Sequence, residues 1–219
     1  MMNKSNKILI TRPEHDPGTR YLSQWSKQII ELAQDKNIQV IDLHEEKATK
    51  KEVEGRILKT EPSFVILNGH GNEDCVTGHN NEVLVKKGEN EEILKGRITY
   101  AVSCDSAEKL GRACADKDTA YIGYLKNFNF NFSRKCLSRP LTDKRAERFL
   151  VASNQVAFSL IKGHTAKESS ERSKESFKRA IRSLLTSEHA NDPDITEDIK
   201  GLWWDMQHQV CLGAGEKRI

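Results

Sequence analysis

Two residues stand out for the chemistry they could do. His70 lies in Leu67-Asn68-Gly69-His70-Gly71-Asn72, and Cys104 lies in Ala101-Val102-Ser103-Cys104-Asp105-Ser106. Each directly follows a short apolar run. A thiolate is the reactive form of cysteine, and an unperturbed thiol has a pKa of about 8.5. An imidazole, with a reference value of about 6.5, relays protons near neutrality. Together they suit acyl transfer, in which sulfur attacks a carbonyl carbon and the imidazole moves the protons. Gly71 has no side chain, so a substrate carbonyl can approach its amide. A helix is expected to begin near Ser106. Its N-terminus would favour the Cys104 thiolate and offer N–H groups to an oxyanion.

The elements that must position this pair can be read from hydrophobic spacing. Strand-length apolar runs occupy residues 8–11, 38–43, 64–67, 98–103 and 120–125. Continuous apolar runs of that length are expected where a strand is buried on both faces. Leu22, Trp25, Ile29, Leu32 and Ala33 share one helix face between the first two. Ala48, Val53 and Ile57 sketch a second helix, and residues 106–115 a third, with Ala107, Leu110 and Cys114 on one side. Strands alternating with helices predict a mainly parallel sheet covered on both faces. Residues following such strands emerge together at the carboxyl edge, where ligands bind. If the third and fourth strands are neighbours, His70 and Cys104 face one crevice.

Residues 69–96 read as an excursion, a β-hairpin around Val83-Leu84-Val85. Residues 126–140, polar and basic with three phenylalanines, read as a long loop. Helices follow, one carrying an apolar stripe of Phe177, Ala180, Ile181, Leu184 and Leu185. Asp192-Pro193-Asp194 breaks the chain, and residues 195–211 form the last helix, carrying Trp203 and Trp204. The expected organisation is one domain over 1–219. It has an α/β core at 1–125, a loop at 126–140 and a helical part at 141–219 packed on the sheet.

His-Gly after one core strand, and Cys in a small-residue context (VSCDSA) after the next, resembles the caspase-like cysteine peptidases of clan CD. These include caspases, metacaspases, legumains, gingipains, separases and bacterial CHAT proteases. The resemblance covers residues 7–125 and implies a three-layer α/β/α fold. It also implies His70 as the catalytic histidine that protonates the leaving amine and then activates water, Cys104 as nucleophile, and the Gly71 and Cys104 amides as oxyanion hole. Ser103 stands where the family often has Ala, while Ser106 fits. The QACxG pentapeptide of animal caspases is absent, so the CHAT and gingipain-like branches fit better. In the family, the pocket for the residue before the cut draws on the loop after the first strand and on residues around the cysteine. Asp16 and Asp105 would make that pocket acidic and select Arg or Lys, whereas Arg12 would select an acidic residue. The basic preference is the favoured expectation. Tyr124 and the Phe-rich loop are candidate substrate walls. The resemblance also implies a protein or peptide substrate, an activating or regulatory protein partner, and a regulated proteolytic or antiviral defence setting. No third acid is required, because a backbone carbonyl can orient the imidazole.

Composition narrows the rivals. Lys and Arg number 35 against 32 Asp and Glu, a net charge of +3 that makes no case for nucleic-acid binding. No apolar run approaches the ~20 residues of a membrane span, and the opening residues lack a secretory signal, so a cytoplasmic protein is expected. Five cysteines without a CxxC suggest neither a disulfide framework nor a zinc ribbon. His70, Cys75 and His79 have spacings loosely like metal ligands, but a fourth ligand is missing locally. No metal or other cofactor is called for. Plain structural readings remain beside the chemical ones: Cys104 as a small buried hydrophobe, His70 as a loop histidine, Asp16 and Asp105 as loop carboxylates, Asp105 capping the next helix, and Trp203-Trp204 as helix packing. The alternative functions are a catalytically inactive caspase-like module that binds a partner protein and, last, a doubly wound nucleotide-binding domain. The latter lacks a phosphate-binding glycine loop.

Overall fold

The computed structural model describes residues 6–186 and 193–219. Asp192, part of the expected chain break, lies outside them. The apolar runs form strands β1 (Lys7–Arg12), β2 (Gln39–His44) and β3 (Phe64–Asn68). A short antiparallel hairpin follows, β4 (Cys75–Thr77) with β5 (Val83–Lys86). Then come β6 (Ile98–Val102) and β7 (Ala120–Tyr124). The helices are α1 (Pro17–Asp35), α2 (Lys50–Thr60), α3 (Leu110–Cys114), α4 (Lys144–Ile161), α5 (Ala166–Leu185) and α6 (Pro193–His208). A final strand, β8 (Gln209–Gly213), completes the sheet.

The strand order is β2-β1-β3-β6-β7-β8, parallel throughout except for β8. Alternate residues of each strand serve opposite faces. Ile8, Ile10, Phe64, Ile66, Tyr100 and Ile122 pack with α1 and α4, while Leu9, Val65, Leu67, Ala101 and Tyr121 pack with α2, α3 and the hairpin. Both faces are thus covered, which is why the strands read as unbroken apolar runs. A third cluster, with Phe149, Phe177 and Leu202, binds α5 and α6 to α4.

Three sequence expectations are corrected. Residues 209–211 are strand rather than helix, because Gln209–Gly213 pairs with β7 from Tyr124↔Gln209 to Ala120↔Gly213. The helix expected from residue 106 begins only at Leu110; residues 106–109 are turns. Leu185 lies off the buried stripe, 59% exposed.

Candidate active site

Asn68 and Val102, the last residues of β3 and β6, are direct partners across the parallel ladder. His70 and Cys104 each follow two residues later, so the ladder delivers both to the same rim. The rim is held from below. Thr11 Oγ1 donates to the Asn68 carbonyl (3.1 Å) and accepts from the Asn68 amide (3.0 Å). Asn68 Nδ2 donates to the Thr11 carbonyl (2.8 Å) and to Ser26 Oγ (3.1 Å), all of it buried. These bonds fix the β1 and β3 ends against each other and against α1.

Above that clamp, His70 Nε2 lies 2.6 Å from Asp16 Oδ2. Asp16 caps α1: its Oδ1 accepts from the Thr19 amide (2.8 Å), and Pro17 opens the helix. Burial alone would raise the Asp16 carboxyl. The Thr19 amide and His70 outweigh it and hold the group below the usual carboxylate value. An ionised Asp16 makes Nε2 the protonated nitrogen of His70 and leaves Nδ1 to exchange protons. The sequence reading assigned no acid to this role. The available signal was Asp16-Pro17-Gly18-Thr19, a helix start at the carboxyl edge of the sheet.

Cys104 is half-buried, and its thiol donates weakly to the Phe128 carbonyl (3.9 Å). Burial is the largest influence and pushes the thiol up, and Asp105 raises it further. The expected helix N-terminus beside Cys104 is therefore corrected twice over: the helix starts six residues later, and the thiol is raised rather than lowered. Asp105 does not cap it either; its backbone is left-handed (φ 55°) and its carbonyl accepts the Glu108 amide in a turn (2.9 Å).

Gly71 sits in an isolated antiparallel bridge with Val76, whose bonds run through its neighbours: Thr77 N–H to the His70 carbonyl and Asn72 N–H to the Cys75 carbonyl. Among the described residues, neither the Gly71 nor the Cys104 amide has a hydrogen-bond acceptor. A Cβ at Gly69 would overlap the Thr77 carbonyl oxygen, and one at Gly71 would sit 2.7 Å from that of Cys75. The two glycines around His70 thus let the β4–β5 hairpin press against the loop carrying the imidazole.

His70 and Cys104 line one cavity of about 190 Å³, with Gly18, Thr19, Leu22, Gly69, Val102, Ser103, Phe128 and Phe130. Phe128 and Phe130 of the Phe-rich loop form one side of it. Its rings run in file from Tyr124 through Phe128 (4.7 Å), Phe130 (6.0 Å) and Phe132 (5.9 Å) to Tyr21 (4.8 Å). The loop backbone is tied to α6, where Asp205 Oδ1 accepts the Asn129 amide (2.9 Å) and Trp204 Nε1 donates to the Asn127 carbonyl (3.0 Å). Trp204 thus packs as expected, whereas Trp203 is 53% exposed.

The specificity candidates fare unequally. Arg12 is only 5% exposed and grips Asp42 with two bonds (2.8 and 2.6 Å), so it is not presented to a substrate. Asp16 is engaged with His70, and Tyr124 is wholly buried behind Phe128. Asp105 does not line the cavity. Among the described residues, of the trio His70, Cys75 and His79 only His70 belongs to a group of side chains close enough to share a metal ion, and its companions there are His15 and Asp16.

No protein-family model matches the sequence, and no curated protein matches it. Among solved structures, the chain is similar to the complex of Porphyromonas gingivalis RgpB pro- and mature domains, with a TM-score of 0.62 at 12% identity. The fold is caspase-like. The match takes in 99% of this chain and 49% of that one, so the chain spans about half the length of the similar structure's chain. At this identity the likeness concerns the backbone arrangement alone. Among the described residues, no helix is long and apolar enough to cross a membrane.

Proposed function

We propose that this chain is a cysteine peptidase working through Cys104 and His70, with Asp16 orienting the imidazole. The observation that supports the proposal is the shared cavity: His70 and Cys104 both line one space, and the imidazole is already held at Nε2 by a carboxylate. Cys104 rests as a thiol. As sulfur attacks the peptide carbonyl, His70 Nδ1 takes its proton. The oxyanion receives the free N–H groups of Gly71 and Cys104. The imidazolium, stabilised by Asp16, then protonates the leaving amine, and a thioester remains. Water, deprotonated by the same nitrogen, hydrolyses the thioester and restores the thiol.

With Asp16 engaged by His70 and Asp105 outside the cavity, no acidic side chain lining the described cavity is left to carry a basic preference before the cut. A regulated proteolytic or defence setting and a protein partner belong to the same proposal. The similar structure, a pro-domain with a mature domain, offers a precedent for a protein segment bound to such a domain. A second reading, a catalytically inactive binding module, is favoured by the burial-raised thiol. A fluorogenic peptide panel varied at the residue before the cut separates the two. Cleavage that falls about a thousandfold or more in Cys104→Ala supports the peptidase. Inertness of the folded wild type across the panel, with candidate activators present, leaves the binding module.

A further inference from the structure

One group of side chains at the rim is not used by the proposed chemistry. His15 precedes the α1 cap, and its Nε2 lies 3.3 Å from Asp16 Oδ2, the oxygen that also meets His70 Nε2 at 2.6 Å. One ligand atom from each of His15, Asp16 and His70 lies within 4.8 Å of the others. Four-coordinate zinc, with bonds of about 2.0–2.1 Å, sets its ligands about 3.3 Å apart, so the three atoms need only small movements to share an ion. His15 is also built in: its side chain is 10% exposed, and its Nδ1 is buried without a hydrogen-bond partner. Its ring packs edge-on against His70 (6.0 Å between centroids) and His79 (5.8 Å). His15 Nε2 also meets Asn81 Oδ1 at 3.3 Å, so the ring is held from the β4–β5 connection as well as from Asp16. His70, at 50% exposure, leaves the group open to solvent, so an ion can enter and keep a water in its fourth position.

We infer that His15, Asp16 and His70 form an inhibitory site for a zinc-class divalent cation. Two imidazoles and one carboxylate suit zinc or cobalt rather than calcium or magnesium, which prefer all-oxygen shells. Binding takes the Nε2 lone pair of a neutral imidazole, so the proton that Nε2 carried passes through solvent to Nδ1, the nitrogen that must accept the thiol proton. The carboxylate and the imidazole are then engaged by the ion, so His70 can no longer be turned or charged as the reaction requires. The inhibitory consequence rests on the peptidase reading; the binding does not.

The test separates the two. Cobalt is titrated into the full-length chain and followed by its visible absorption, with zinc as competitor, in wild type, His15→Ala, His70→Ala and Cys104→Ala. Expected is one equivalent bound, unchanged in Cys104→Ala and weakened at least tenfold in each histidine variant. His70 is exposed, so its variant remains informative should His15→Ala fold poorly. Zinc should inhibit wild-type cleavage, and His15→Ala should keep its zinc-free rate while losing the inhibition. Unchanged cobalt binding in the folded histidine variants, or binding that disappears with Cys104, overturns the site. If wild type shows no cleavage, the binding measurements still decide the site and only the peptidase reading fails.

Discussion

Asp16 Oδ2 sits 2.6 Å from His70 Nε2, although the two residues are 54 positions apart in the chain. The same carboxylate closes the first turn of α1 through the Thr19 amide. One side chain therefore starts a helix and fixes the tautomer of the candidate base. Because the helix cap holds Asp16 in place, little extra side-chain entropy is lost in aiming it at the imidazole.

Asp16→Asn separates these two duties. Asparagine caps a helix about as well as aspartate, so the urea midpoint should move little. The negative charge behind His70 is lost, and kcat/KM should fall by about 10- to 1000-fold, with KM less affected. Kinetics and urea unfolding on the same preparation check this. A large loss of stability with normal kcat would show that the carboxylate serves folding alone.

Gly69→Ala and Gly55→Ala should act in opposite directions. At Gly69 a methyl overlaps the Thr77 carbonyl, so the hairpin must move, at a cost of about 2–3 kcal/mol. At Gly55, inside α2, nothing lies within 4 Å of the added carbon, and the variant should gain about 0.5–1 kcal/mol. Chemical denaturation of both variants tests the pair.

Iodoacetamide should alkylate Cys104 of the resting protein with a half-maximal pH above the ~8.5 of a free thiol, because burial raises the thiol. Partly buried Cys211 and fully buried Cys114 should react later still, being pushed up to about 11 and about 12. Peptide mapping across a pH series gives the order. A Cys104 midpoint well below 8.5 would mean a preformed thiolate–imidazolium pair.

Asp205 provides a test by pH. Burial holds its carboxyl well above the usual range, and its Oδ2 has no hydrogen-bond partner among the described residues. Below about pH 4 the group is protonated in both folded and unfolded chains. As pH rises, the unfolded chain ionises while the folded one does not, so stability is lost until the folded value is passed. Asp205→Asn does not titrate. Its stability relative to wild type should climb from pH 4 upward, by at most about 1.4 kcal/mol per pH unit, on top of a constant offset. Urea unfolding at pH 4, 5, 6 and 8 measures the slope; a flat difference would show that Asp205 is ionised in the fold.

The five parallel strands were legible because burial on both faces writes itself as unbroken runs such as Phe64-Val65-Ile66-Leu67. His70 and Cys104 were legible because each is tied to a strand end by short sequence. Two kinds of feature were not. Val210-Cys211-Leu212 continues an apolar pattern that suits a helix as well as a strand, and only the edge of β7 selects the strand. Asp16, Arg12 and Asp105 were three charged residues near the same rim. Their sequence neighbours do not reveal that one reaches the imidazole, one is locked onto Asp42 and one sits in a turn.

Sequence alone determined the alternation of strands and helices, the carboxyl-edge placement of a thiol and an imidazole, and the glycines flanking the histidine. These are local properties, set by side-chain volume, backbone freedom and the two-residue repeat of a strand. Tertiary structure decided which acid stands behind His70, how far burial raises the Cys104 thiol, and which rings wall the cavity. Each of these depends on groups brought together from distant parts of the chain. Charge, desolvation and hydrogen bonding act over ångströms in space, and no spacing along the chain encodes them.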